Sequence, residues 1–251
     1  MAEKLERLDR AVSHAFGISR TIAARAIKAG RVAVDGQEAA DPSLKIQKTA
    51  TLSLDGEDVG VEDAFAKRVF MLNKPAGYVS ADRDANFPTV AGFFQGEARS
   101  EELHCVGRLD ADTTGLLLVT DDGDLNHRLT SPKKGVVKAY EALTRDPIKA
   151  SDAKAFASGL RHPEEHSRYR PAQLVITGEK SAVVYVTEGR FHEVKRLFEC
   201  VGNEVTELRR LSIGRLELDD SLDEGEYRML GKDELAFLFE APESWQDPEK
   251  S

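Results

Sequence analysis

The sequence predicts an α+β chain in two unequal parts, a small helical module ahead of a larger domain built on a mixed sheet with helices. Three observations carry this expectation. Residues 1–48 read as helix, helix, hairpin. From Arg68 onward, short apolar runs closed by turn residues recur, as buried strands do, with helix-spaced segments between them. Between the two lies an acidic, turn-rich stretch, DGEDVGVEDAFA, at 55–66. Residues 1–54 are therefore expected as the small domain, 55–66 as a linker, 67–240 as the large domain and 241–251 as a polar, mobile tail. At 251 residues, 41% hydrophobic and 31% charged, the chain has the composition of an ordinary soluble globular protein with a sizeable core. No apolar stretch approaches the ~18 residues that a membrane helix needs, and the charged N-terminus lacks a signal-peptide core. Two cysteines, Cys105 and Cys200, make no disulfide framework, which suits a reducing cytoplasm.

In the first module, Leu5, Leu8, Val12, Ala15 and Phe16 recur at helical spacing until Gly17. Ser19 is placed to N-cap a second helix running to about Lys28. Arg31-Val32-Ala33-Val34 alternates like a strand, and Asp35-Gly36 is a strong hairpin turn signal. RLDRAV and SRTIAARAIKAGRVAVDG, in this order, resemble the S4 RNA-binding domain. Charge agrees with that resemblance. The net charge of −9 argues against a generic nucleic-acid binder, yet residues 1–48 hold nine Lys or Arg against six Asp or Glu. Arg7, Arg10, Arg20, Arg25, Lys28 and Arg31 concentrate in the helices and at the start of the hairpin. A face of this kind contacts the phosphates and shape of A-form RNA rather than its sequence. A merely solvated helix surface is the plainer alternative.

The large domain opens with RVFMLNKPAGYV, a strand that breaks at Lys74-Pro75. Residues 80–102 read as loop and short helix, and the pair Phe93-Phe94 as core. Val106 to Gly123, VGRLDADTTGLLLVTDDG, then reads strand, polar loop, strand, tight turn. This leaves Asp110 exposed in a loop on a rigid scaffold, where a carboxylate can act as nucleophile or base. A lone aspartate there is more simply a turn residue. Leu125 to Leu129 reads as a short helix, Lys138 to Leu143 as a strand, and 151–160 as a surface helix. His162 and His166 have a spacing that zinc can use but no matching cysteine pair, so a metal site is not expected. Residues 172–187 read as a hairpin around Gly178-Glu179-Lys180. In EGRFHEVKRLF, from Glu188, glycine ends a strand, and Phe191, Val194, Leu197 and Phe198 mark a helix that fixes Lys195 and Arg196. Residues 203–218 alternate as strands, and a last helix is expected at about 232–239.

Taken together, GRLD with DTTGL behind it, HRLTSP, Lys138-x-Tyr140, EGR-H-VKR and GEYR at 225–228 resemble the pseudouridine synthases, in the branch acting on small-subunit ribosomal RNA. NKP-G at 73–77 matches the element that opens their catalytic domain. The resemblance covers about residues 5–240. It implies a mixed, mainly antiparallel sheet with flanking helices, and isomerisation of uridine to pseudouridine in rRNA, at the single pseudouridine of bacterial 16S rRNA. A large-subunit site is the runner-up. It also implies Asp110 as the catalytic carboxylate, Tyr140 as the aromatic that stacks on the flipped base, and Lys195 as the cation paired with Asp110. One position departs from the family pattern: Glu193 stands where glutamine is common, free either to weaken RNA contact or to bind Arg190.

The reaction breaks N1–C1′, turns the base and joins C5 to C1′, so it needs neither metal nor redox cofactor, and none is expected. RNA contacts are expected from Arg7, Arg20, Arg25, Lys28, Arg31, Arg108, Arg196 and Arg210. The partner is expected to be 16S rRNA or a small-subunit assembly intermediate, met by a monomer away from membranes. Two other classes compete. A non-catalytic ribosome-assembly factor would have lost one of the three catalytic residues. A glycoside hydrolase using Asp110 and Asp112 leaves the first module unexplained.

Overall fold

In the computed structural model, which describes residues 5–249, the chain divides into two units, each with its own core. The first begins with strand β1 (Glu6–Arg7) and helices α1 (Leu8–Ala15) and α2 (Arg20–Lys28). The helices bury Leu8, Ala11, Val12, Ala23, Ala26 and Ile27, the three- and four-residue spacing of amphipathic helices that share a core. Ser19 caps α2, its Oγ accepting from the Ile22 amide at 3.3 Å. Strands β2 (Val32–Val34) and β3 (Gln37–Glu38) form the expected hairpin. Asp35 and Gly36 turn it with φ of +50° and +77°, the two positive values that a tight type I′ turn demands. Strand β4 (Lys45–Ile46) pairs with β1, and β5 (Thr51–Leu54) extends the hairpin sheet beside β2.

Residues 55–66 are not a free linker. Glu57–Gly60 is strand β6, paired in full with β5, and Val61–Ala64 is a short helix, α3. Val61 is fully buried, and the Phe65 ring stacks on His14 with centroids 4.4 Å apart. The acidic residues sit on the surface of an apolar seam, Val61, Ala64 and Phe65, whose three- and four-residue spacing their charge obscured. The first unit also takes in Phe94–Glu102, where Arg99 Nη1 lies 2.9 Å from His14 Nδ1.

The second unit is built on a nine-stranded sheet. Its strands are β7 (Val69–Lys74), β8 (His104–Cys105), β9 (Thr114–Thr120), β10 (Lys138–Thr144), β11 (Gln173–Ile176), β12 (Ser181–Val186), β13 (Val205–Ile213), β14 (Leu216–Glu217) and β15 (Tyr227–Met229). The main order is β11-β12-β10-β13-β9-β7-β15; only β13 and β9 run parallel, which gives the mixed, mainly antiparallel sheet expected. Central strand β9 is buried from Gly115 to Thr120, so its sequence is continuously apolar rather than alternating. Gly115, at φ +95°, lies so close to β13 that a Cβ there would collide with the Arg210 carbonyl. Helices α4 (Gly123–Thr130), α5 (Ala150–Ala157), α6 (Glu193–Cys200) and α7 (Glu234–Phe237) flank the sheet.

Three further expectations need correction. Helix α5 does not face only solvent, because Phe156 is fully buried with its ring 5.1 Å from that of Phe198. Helix α7 is shorter than 232–239. Within the expected mobile tail, Ser244, Trp245 and Gln246 contact strands β11 and β12. Ser244 accepts from Gln173 Nε2 at 3.1 Å, and Trp245 packs against Tyr185. Residues 250 and 251 lie outside the described residues.

Candidate active site

The loop between β8 and β9 carries Asp110, and the chain holds that loop by its backbone. Lys74, at the end of β7, is fully buried and donates from Nζ to the carbonyls of Pro75 (2.9 Å), Ala111 (3.3 Å) and Thr113 (2.8 Å). Burial pushes its ammonium down to about 8, although Asp112 and Asp110 pull the other way. The Gly77 amide adds a second bond to the Ala111 carbonyl at 2.7 Å. Ser80 grips Leu109 at both ends, accepting from its amide at 3.0 Å and donating to its carbonyl at 2.9 Å. Thus the NKP-G segment is a clasp on the aspartate loop, a larger role than its turn residues suggested.

A second turn, Gly189–His192, leads into α6 and faces Asp110. Glu193 organises it: one carboxylate oxygen accepts from the amides of Gly189 (2.6 Å) and Arg190 (2.9 Å). Burial pushes Glu193 up to about 6 in spite of those bonds. Glu193 therefore binds the backbone of Arg190, not its guanidinium. That guanidinium pairs with Glu165, donates to the Arg168 carbonyl at 3.1 Å and lies over the Tyr169 ring at 4.3 Å. His192 stands at the N-cap of α6 with φ +52°, a left-handed conformation in which Asn, Asp and His are enriched among non-glycine residues. Phe191 stacks on its ring at 3.7 Å.

These two turns bring the expected residues together. Asp110 has a side chain 27% exposed; its Oδ1 lies 3.3 Å from His192 Nε2 and its Oδ2 3.6 Å from Lys195 Nζ. Lys195 is shared, however. Its closer bonds go to Asp112, at 2.7 and 2.8 Å, so the cation bridges two carboxylates instead of pairing with Asp110 alone. Burial pushes Asp112 up, but the hydrogen bond and charge of Lys195 outweigh it and hold the carboxyl below the usual range. Asp110, Tyr140, Lys138, Glu193 and Arg210 line one cleft of about 100 Å³. Lys138, beneath Gly189, is pushed down to about 8 by burial and by Arg210, against the pull of Glu193.

The expected RNA contacts divide. Arg210 is 2% exposed and bonds the Leu116 carbonyl through Nε at 2.6 Å, so it is no surface phosphate ligand; β13 alternation turns it into the cleft. Arg196 is held by Glu165 and by Glu164 at 3.7 Å, leaving little of its charge for RNA. Arg7 and Arg20 converge on Asp9, whose carboxyl they hold at about 2, and Arg31 grips Asp55 through two bonds. Arg108 is exposed at the cleft mouth. Arg25 and Lys28 are exposed, line a shallow groove on α2, and have no ion-pair partner among the described residues. Sequence reasoning did not single out His192, Lys74 or Lys138 for a role at this site. A histidine inside EGR-H-VKR and a lysine ending an otherwise apolar strand were the available signals.

Residues 68–200 match the family described as RNA pseudouridylate synthase, and residues 6–52 match the S4 domain. Among curated proteins, the ribosomal small subunit pseudouridine synthase A of Yersinia pestis is 41% identical over 230 residues, covering 92% of this chain and 97% of the relative. That of Escherichia coli strain K12 is 40% identical over the same length, covering 92% and 98%. A solved pseudouridylate synthase superposes with a TM-score of 0.66 at 37% identity, covering 92% of this chain and 99% of that one.

Proposed function

Because the chain belongs to the RNA pseudouridylate synthase family and carries an S4 domain, it is an RNA-binding isomerase that makes pseudouridine, and we propose that its target is the single pseudouridine of 16S rRNA. The observation that carries the choice of small-subunit rRNA is similarity along nearly the whole chain, at about 40% identity, to relatives named for that subunit. The protein then meets 16S rRNA, or a small-subunit assembly intermediate, as a cytoplasmic monomer. Among the described residues no helix is long and apolar enough to cross a membrane.

In this reading Asp110 acts at the sugar carbon of a uridine flipped out of the RNA stack. Lys195 and His192 keep its carboxylate oriented toward the cleft, while Asp112 shares Lys195 with it. Tyr140, 7% exposed on β10, gives the base an aromatic wall to turn against. Lys74 and Ser80 hold the aspartate loop, and Glu193 the turn that presents His192. The S4 domain supplies phosphate contacts through Arg25 and Lys28, with Arg108 joining at the cleft. Residues 1–66 are assigned to recognition and 67–240 to chemistry.

The test has two readouts. Purified protein is incubated with 16S rRNA carrying 5-tritiated uridine, and release of label, which isomerisation causes and binding does not, is followed. Modified positions are then mapped in rRNA from a deletion strain. Loss of the 16S pseudouridine alone is expected; loss of a 23S position instead would overturn the assignment of substrate.

A further inference from the structure

The floor of the cleft holds more positive charge than its protein partners use. Lys138 and Tyr140 stand two residues apart on β10 and so share a face of the sheet, and Tyr140 is register-paired with Arg210 on β13. The same cleft is lined by Lys138, Arg210 and, from α6, Glu193. Arg210 spends its Nε on the Leu116 carbonyl, but its Nη2 is buried without an acceptor among the described residues. A buried donor in that state is destabilising until something supplies an oxygen. Lys138 Nζ has three protons and, among the described residues, one hydrogen-bond acceptor, the Val136 carbonyl at 3.2 Å. One oxygen of Glu193 is already committed to two backbone amides.

Resting on the pseudouridine synthase reading, we propose that Lys138 and Arg210 hold the two carbonyl oxygens of the flipped uracil, O2 and O4, both before and after the base turns. Uracil is nearly symmetric about the line through N3 and C6. Half a revolution about that line exchanges N1 with C5, which the reaction requires, and at the same time exchanges O2 with O4. Two fixed donors therefore meet a carbonyl oxygen in either orientation and can retain the base while it is detached. They also meet developing charge. The N1–C1′ bond breaks with its electron pair on the base, and the negative charge spreads over O2 and O4. C5 then bonds to C1′ and gives up its proton, while N1 takes one up, so no atom is gained or lost. Preorganised cations in a buried cleft stabilise such charge without reorganising. Cytosine, with an amino group in place of O4, sets a donor against one of the two donors and is rejected.

The test uses single-turnover isomerisation by the full-length protein of a 16S rRNA fragment that it modifies. The target nucleotide is uridine, 2-thiouridine or 4-thiouridine, because sulfur is a poor acceptor at either position. With wild type, each thio substitution is expected to slow the reaction about tenfold, the worth of one hydrogen bond to a charged donor. In Lys138→Met and in Arg210→Met, both thio effects should shrink together to about twofold or less, since the carbonyls visit both donors. A wild type that handles all three RNAs at one rate would overturn the proposal, as would undiminished thio effects in both variants; either result fits a phosphate ligand for the pair. The wild-type series decides even if a variant fails to fold. Failure to form pseudouridine from the unmodified fragment would instead count against the functional reading itself.

Discussion

Asp110→Asn keeps the size of the side chain but removes both nucleophile and base. It should abolish tritium release while RNA affinity, measured by filter binding, stays within a few fold of wild type. Lys195→Met should lower kcat by about a hundredfold or more, because a cation facing the reacting carboxylate is removed. Lys195→Arg should recover part of the rate, since charge survives with a different geometry. Asp112→Asn should cost no more than about fivefold, as expected of a carboxylate that is 74% exposed. A larger loss from Asp112→Asn than from Asp110→Asn would show that the two carboxylates had been assigned the wrong way round. Glu193 makes a prediction of another kind. Its folded-state value of about 6 lies above the ordinary 4.5, so the folded chain binds the extra proton. The stability this contributes is present below pH 4.5 and is lost as pH rises through 6, at most about 2 kcal/mol. Glu193→Gln keeps an acceptor for the two amides and should raise stability to urea by up to that amount at pH 8, the gain vanishing near pH 4.

At the scale of elements, the aspartate loop depends on a lysine from a neighbouring strand. Lys74→Met removes one donor from each of three carbonyls, of which Ala111 keeps the Gly77 amide, and should cost about 3 kcal/mol in urea unfolding, with a fall in kcat as Asp110 loses its fixed position. Little change in either would mean that Ser80 and Gly77 suffice to hold the loop. Most elements here were legible before any coordinates. The apolar runs at 116–119 and 183–186, the Asp35-Gly36 turn and the spacing of α6 each expose one physical signal, and the strands and helices appear where those signals lie. What was not legible is contact made across the sheet. Nothing local to Lys74 says that its ammonium reaches Thr113, and nothing local to His192 says that its ring meets Asp110. The linker expectation failed for a related reason, since composition reports surface charge and the Val61–Phe65 seam lies beneath it. Lys195 was legible as a partner of an aspartate but not as a cation shared by two, which only the fold of the loop decides.

At the scale of the whole molecule, the net charge of −9 and an RNA substrate are reconciled by segregation rather than by a broad basic surface. Most of the arginines expected from sequence to touch RNA are already paired inside the protein. Sequence gives the number of cations and only the fold says which remain free. Arg25→Gln with Lys28→Gln should therefore weaken rRNA binding and reduce the log–log salt slope by about two units, one for each phosphate deprived of its cation. Arg7→Gln and Arg20→Gln should reduce it less, because Asp9 already neutralises part of their charge. An unchanged slope in the α2 double variant would place the electrostatic grip elsewhere. The first unit also has a history written into its chain path. It includes Phe94–Glu102, so residues 68–93, which belong to the other unit, are synthesised before it can close. Domains that fold as the ribosome delivers them usually finish in N-to-C order. Here the RNA-gripping half emerges first yet cannot be completed until the other half has begun, which ties the birth of the binding domain to that of the enzyme.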